Sequence, residues 1–235
     1  MSKVWDDQSN LYGTRPGSID VTLYSDANGT TQALVAPQPV EVWTQPTGSD
    51  TWTYKYLSLP KYKIVSGLEV PIMYTVKETP KPGYTPSTIS TVTGVVDTTT
   101  GNVSEANFTN YYFAAGSLSL SGTKYFKGRD TTQFDVFRFR LYEGSVAPGN
   151  LLDTQEVTGS GSFTFKQIPY KLDFQPEPAI NDIGPHTYVV TEDRPFANPS
   201  GGITYAIRQH TVTVNVTHSG LGTLGVEVTS QNADC

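Results

Sequence analysis

One five-residue pattern occurs twice in this chain and constrains its fold more than any other feature. Tyr74-Thr75-Val76-Lys77-Glu78 recurs as Tyr188-Val189-Val190-Thr191-Glu192. Tyr, Val and Glu stand at i, i+2 and i+4, the spacing that places side chains on one face of a β-strand. Each copy follows an aromatic strand ending in an apolar-Pro pair: Trp52 to Tyr56 then Leu59-Pro60, and Phe163 to Phe165 then Ile168-Pro169. Further upstream each has a lysine, Lys3 and Lys124, which precede their glutamates by 75 and 68 residues. Repetition at that separation implies two related domains in tandem. The boundary is expected near Phe113-Ala114-Ala115-Gly116, giving domains 1–113 and 114–235.

The rest of the chain reads the same way. Ile19 to Tyr24, Phe137 to Leu141 and Thr211 to Val216 alternate apolar and polar residues, with β-branched and aromatic side chains prominent. Such runs are half-buried strands. The 21 Gly and 16 Pro that punctuate the 235 residues supply turns, and no helical periodicity competes. The expected fold class is all-β, two tandem immunoglobulin-like (Greek-key) β-sandwiches. The net charge of −6, without a basic stripe, argues against nucleic acid as a partner. Residues 1–113 hold 7 basic and 10 acidic side chains and residues 114–235 hold 9 and 12, so each half carries −3 and neither is a specialised charged module. No apolar run approaches the roughly 20 residues of a membrane helix. No signal-peptide pattern precedes Ser2-Lys3-Val4-Trp5, and a segment of a secreted protein would read the same way. The single cysteine, Cys235, gives no disulfide framework and no Cys-based metal site, but a terminal thiol invites disulfide dimers.

The repeated glutamate carries the chemistry. A solvated strand end is the simple account of one such residue. If Tyr and Val face a core, however, Glu faces it too, and a core-facing carboxylate needs a partner or a proton. Lys3 and Lys124 are candidate partners. Asn110, in Asn107-Phe108-Thr109-Asn110-Tyr111 on the last strand of the first half, is a third group. Burial lowers the pKa of an amine and raises that of a carboxyl group, so a neutral, nucleophilic lysine can coexist with an uncharged acid. The acid can polarise the Asn carbonyl and pass a proton to departing ammonia. Fixed proximity supplies much of the rate. The product is an intramolecular Lys–Asn amide.

These residues resemble a known family. Lys3-Val4-Trp5-Asp6-Asp7, Gly13 to Ile19, Val21-Thr22-Leu23, Trp52-Thr53-Tyr54, Leu59-Pro60-Lys61-Tyr62, Tyr74 to Glu78 and Phe108-Thr109-Asn110 are similar, in order and spacing, to a collagen-adhesin B-type (Cna-B-like) domain of Gram-positive surface proteins and pilins. Glu78-Thr79 through Pro82-Gly83-Tyr84 resembles the pilin E-box, one residue shorter than its usual form. The resemblance implies that Lys3 bonds to Asn110 with Glu78 as catalytic acid. Residues 116–235 resemble, more loosely, the isopeptide-linkage domain of streptococcal-type backbone pilins, through Lys124 to Arg129, Phe137 to Leu141, Tyr188 to Glu192, Gly202 to Tyr205 and Thr211 to Val216. There Lys124 is the implied nucleophile and Glu192 the catalyst, with Lys127 a competing lysine in the turn before Gly128. The family's acceptor lies in an aromatic-Thr-Asn pattern on a final strand. Here the chain ends at Gln231-Asn232-Ala233-Asp234-Cys235, which reads as the loop before that strand. Asn232 is the nearby candidate, and without an apolar residue at i−2 it is not expected to face a core. The second domain is therefore expected to lack its last strand and to keep a groove beside Lys124 that a neighbour's strand could enter.

The implied function is a structural stalk or pilus-shaft segment, stabilised by autocatalytic Lys–Asn isopeptide bonds. The implied location is the extracellular cell wall or pilus surface, and the implied partners are other pilin or surface-protein subunits. The alternative is an adhesin module that recognises a host matrix protein or glycan. The only expected catalysis is single-turnover self-cross-linking, with no cofactor. His186, His210 and His218 lack metal-ligand spacing, and no carboxylate pair with a sugar-binding aromatic platform emerges. Asp6, Asp7 and Asn10 are expected in turn and surface roles rather than around calcium. Trp43, in the Pro37 to Pro46 loop, is expected to pack over the sandwich.

Overall fold

The computed structural model describes residues 2–28, 30, 40–57, 59–86, 91–95, 107–175, 178–194, 203–205 and 209–232. The chain divides into two compact units. The first comprises Met1–Ala114, Asp173–Ile180 and Gly220–Gly222; the second comprises Ala115–Leu172, Asn181–Ser219 and Thr223–Cys235. The division falls inside one long strand, and the first unit takes in two segments distant in sequence.

The first unit contains β1 (Ser2–Asp6), β2 (Val21–Tyr24), β3 (Val40–Thr44), β4 (Thr51–Leu57), β5 (Tyr62–Val65), β6 (Leu68–Pro71), β7 (Met73–Glu78), β8 (Tyr84–Pro86), β9 (Thr91–Val95) and most of β10 (Asn107–Leu118). One sheet runs β3-β4-β1-β10, with β8 also on β10. The other runs β2-β7-β9, and β5 and β6 form a separate ribbon. The first and last long strands pair in parallel, with Lys3 opposite Phe108 and Trp5 opposite Asn110. Alternation decides what each strand buries. On β1 the buried residues are Lys3 and Trp5; on the part of β10 in this unit they are Phe108, Asn110, Tyr112 and Ala114. From the facing sheet come Leu23 and Tyr74, packed with Ile72. Sequential strands divided between two facing sheets make the immunoglobulin-like sandwich that the sequence suggests.

Apart from Asp173, Ile180 and Gly220, the second unit contains β11 (Ser121–Lys124), β12 (Val136–Glu143), a 3-10 turn (Pro148–Asn150), β13 (Leu151–Thr158), β14 (Gly161–Thr164), β15 (Ile168–Asp173), β16 (Ile180–Asn181), β17 (Gly184–Glu192), β18 (His210–Gly220) and β19 (Thr223–Gln231). Its main sheet runs β13-β12-β17-β18-β19, and β11 pairs with β14. Phe137, Leu141, Tyr188, Val214, Val216 and Leu172 are fully buried. The Phe163 ring of β14 stacks on Phe139 of β12, with centroids 4.2 Å apart. Gly116 meets β19 closely: a Cβ there would lie 2.8 Å from the Leu224 carbonyl oxygen, so no larger residue fits without a shift. This unit too is an all-β sandwich.

Candidate functional site

β1 and β10 present Lys3 and Asn110 to the interior from one sheet, and β7 presents Glu78 from the other. The three are 2%, 1% and 8% exposed. The Glu78 carboxylate bridges the other two. Lys3 Nζ donates to Oε2 at 2.8 Å and Asn110 Nδ2 donates to Oε1 at 2.8 Å. Burial pulls the Lys3 ammonium down to about 8, against the hydrogen bond and charge of Glu78, which raise it. The Lys3 amine is therefore far easier to deprotonate than that of an exposed lysine. Asn110 turns its amide nitrogen, not its carbonyl oxygen, towards the acid. Asn110 Oδ1 is buried and accepts no hydrogen bond.

An aromatic wall closes the site. Trp5 meets Trp52 and Tyr84 edge to face at centroid distances of 5.1 and 4.9 Å, and Lys3 Nζ lies 5.0 Å from the Trp5 ring. Behind the wall lies a polar network around Asp7, a residue expected at the surface. Asp7 is 2% exposed, which corrects that expectation. It accepts from Arg15 Nε at 3.0 Å, from Arg15 Nη2, from Tyr84 Oη at 2.9 Å and from the Asn10 backbone N–H at 2.9 Å. Burial pushes the Asp7 carboxyl up, but the hydrogen bonds from Arg15, Asn10 and Tyr84 outweigh it and hold it below the usual carboxylate range. The signal was available: Lys3, Trp5 and Asp7 share one parity, as Tyr74 and Glu78 do. Gln8, Ser9 and Asn10 follow with φ of 51°, 57° and 62°, a left-handed run unusual for these residues and tied down by Asp7.

The second unit repeats part of the arrangement. Lys124 Nζ donates to Glu192 Oε1 at 2.7 Å, with side chains 15% and 8% exposed, and lies 4.3 Å from the Phe137 ring. The competing Lys127 is exposed. Asn232 is also exposed. Its Oδ1 accepts from the Thr211 N–H at 2.8 Å and its Nδ2 donates to the Gln209 carbonyl at 2.9 Å. The structure thus brings Lys3, Glu78 and Asn110 together, and Lys124 with Glu192, while the Asn232 side chain is tied to backbone. Cys235 and part of the Pro37 to Pro46 loop lie outside the described residues, as does the Trp43 side chain. His186 Nε2 lies 2.8 Å from the Asp182 carbonyl oxygen, which gives that ring a structural role.

Known proteins match the two halves separately. The Cna protein B-type domain matches residues 1–107. The Spy0128-like isopeptide containing domain matches residues 120–234. A collagen adhesin of Staphylococcus aureus is 27% identical over 194 residues, covering 82% of this chain and 14% of the relative. The chain therefore spans a small part of the length of the curated relative it matches. The first half thus carries a Cna protein B-type match and the second a Spy0128-like isopeptide match, a pairing of families that indicates a pilin or adhesin stalk.

Proposed function

We propose that this chain is a load-bearing stalk segment whose first domain welds its first strand to its last through a Lys3–Asn110 amide, with Glu78 as the proton carrier. The observation that carries this reading is the buried Glu78 carboxylate holding Lys3 Nζ and Asn110 Nδ2 at 2.8 Å each. A proton passes from Lys3 to Glu78, leaving a neutral amine and a neutral acid. The Lys3 lone pair attacks Asn110 Cγ, and the carbonyl π pair moves to Oδ1. Glu78 gives its proton to Nδ2 and takes one back from the former Lys3 nitrogen. The Cγ–Nδ2 bond breaks and ammonia leaves. One amide replaces another, and no oxidant or cofactor enters. The orientation of Asn110 suits this order, since the leaving nitrogen already faces the acid.

The amide would close a loop of 107 residues, from position 3 to position 110. Treated like a disulfide, a loop of that size stabilises the domain by about 5 kcal/mol. Force entering near β1 and leaving along β10 would pass through a covalent bond that thiols do not reverse. Lys124 and Glu192 are assigned the same roles in the second domain. The surroundings proposed for the chain are the Gram-positive cell wall or pilus, with other surface subunits as partners. The collagen-adhesin relative favours a second reading, in which the segment also presents or forms a surface that recognises host matrix. Intact mass tests the first reading. The purified chain should be lighter than its sequence mass by one ammonia, and Lys3→Met should restore the full mass. An unmodified wild-type mass would remove the proposal.

A further inference from the structure

Among the described residues, two buried side-chain polar atoms lack a hydrogen-bond partner: Trp5 Nε1 and Asn110 Oδ1. One is a donor and the other an acceptor. They belong to residues directly opposite each other in the parallel β1–β10 pairing. Both residues are buried, at 2% and 1% exposed. Lone buried polar groups are rare enough in proteins that each calls for a cause. Here the two vacancies are complementary and lie on adjacent strands.

The reaction explains what they are for. Attack by Lys3 places negative charge on Oδ1. In the starting arrangement Glu78 faces Nδ2 and Lys3 Nζ rather than Oδ1. A donor that faces Oδ1 would act in a site closed to water, where it is worth most. We propose that the Trp5 indole N–H is the oxyanion donor for the self-cross-linking reaction, an assignment that rests on the function proposed above. In this assignment the Asn110 amide turns as Cγ becomes tetrahedral, and Oδ1 accepts from the indole of the residue opposite it on the neighbouring strand. The ring itself is held by Trp52 and Tyr84 packed edge to face and by Lys3 beside it. Its position therefore does not depend on the hydrogen bond it will make. A donor idle in the ground state and engaged only as charge develops lowers the barrier without stabilising the starting state.

The test follows cross-linking by intact mass in a chain made by cell-free synthesis, with Trp5 replaced by its benzothienyl analogue. That side chain keeps the bicyclic shape and lacks the N–H. Ammonia loss should slow on the order of 10²-fold, the usual cost of deleting one oxyanion donor. Loss at the wild-type rate would overturn the Trp5 assignment while leaving the amide itself intact. A wild-type chain that never loses ammonia would instead overturn the underlying function. A second readout needs no change at position 5. The indole ¹⁵N–¹H signal of Trp5 should move downfield and exchange more slowly in the cross-linked wild type than in Lys3→Met, because the new amide keeps Oδ1 as its carbonyl oxygen. An unchanged signal would count against the assignment.

Discussion

Replacing Glu78 with Gln removes the acid and keeps its shape, so it separates the chemical role of this residue from its structural one. Two losses are expected. The first is the cross-link: without a proton carrier the reaction should slow by about 10²–10⁴-fold, and an unlinked loop of 107 residues forfeits about 5 kcal/mol. The second is the counter-charge for Lys3. Orphaning a buried charge commonly costs about 3–5 kcal/mol, but here that figure is too large. Lys3 loses its proton at about 8 even with Glu78 present. At pH 7 the neutral amine is therefore only about 1.4 kcal/mol away, and deprotonation caps the loss there. The total is about 6 kcal/mol and the missing covalent bond dominates it. Guanidinium unfolding at pH 7, with intact mass on the same samples, checks this. Asn110→Ala alone should reproduce most of the loss. In an Asn110→Ala background, Glu78→Gln should cost only about a further 1 kcal/mol, as the pKa ceiling requires. A Glu78→Gln chain that sheds ammonia at the wild-type rate would refute the reasoning. So would a cost as large in the Asn110→Ala background as in the wild type, since Glu78 would then be acting through packing alone.

Three further outcomes are expected. In Asn110→Ala, the unfolded state holds the Lys3 proton up to its ordinary value of 10.5 while the folded state releases it at about 8. Stability should therefore rise with pH above 8, by up to about 2 kcal/mol at pH 9.5, and Lys3→Met in the same background should abolish the rise in urea titrations. Arg15→Met leaves the buried Asp7 without its cation, and thermal unfolding should register a loss of about 3–5 kcal/mol in the first domain; a neutral result would mean that the network adds nothing. Gly122→Ala puts a Cβ 2.5 Å from the Phe163 ring that stacks on Phe139, so the second domain should lose about 1–3 kcal/mol by calorimetry.

The sequence carried the fold class because alternation survives even in the functional strands. Tyr74 and Glu78 point inwards as their spacing requires, and so do Lys3 and Trp5. The pattern is less strict than the repeat suggests. Thr75, of the opposite parity, is fully buried, with its hydroxyl donating to the Asp26 carbonyl, and Val76 is only half-buried. The Lys–Glu–Asn set was legible from residue types and the repeat. Its register was not, since parallel pairing of β1 with β10 joins segments more than a hundred residues apart, and no local pattern fixes which residue of one meets which of the other. The orientation of the Asn110 amide and the idle Trp5 N–H were beyond sequence for the same reason: they depend on which neighbours fill the space. Asp7 was misplaced because an acidic pair after a strand ordinarily marks a turn, and only the distant Arg15 and Tyr84 make its burial tolerable. The grouping of Asp173–Ile180 and Gly220–Gly222 with the first unit is likewise a matter of contacts between segments distant in sequence.

The most direct measurement is tandem mass spectrometry of a proteolytic digest. The account requires one branched peptide in which the chain around Lys3 is joined to the chain around Asn110, lighter than the two separate peptides by one ammonia. Recovery of both segments as ordinary linear peptides, with Lys3 and Asn110 unmodified, would contradict it.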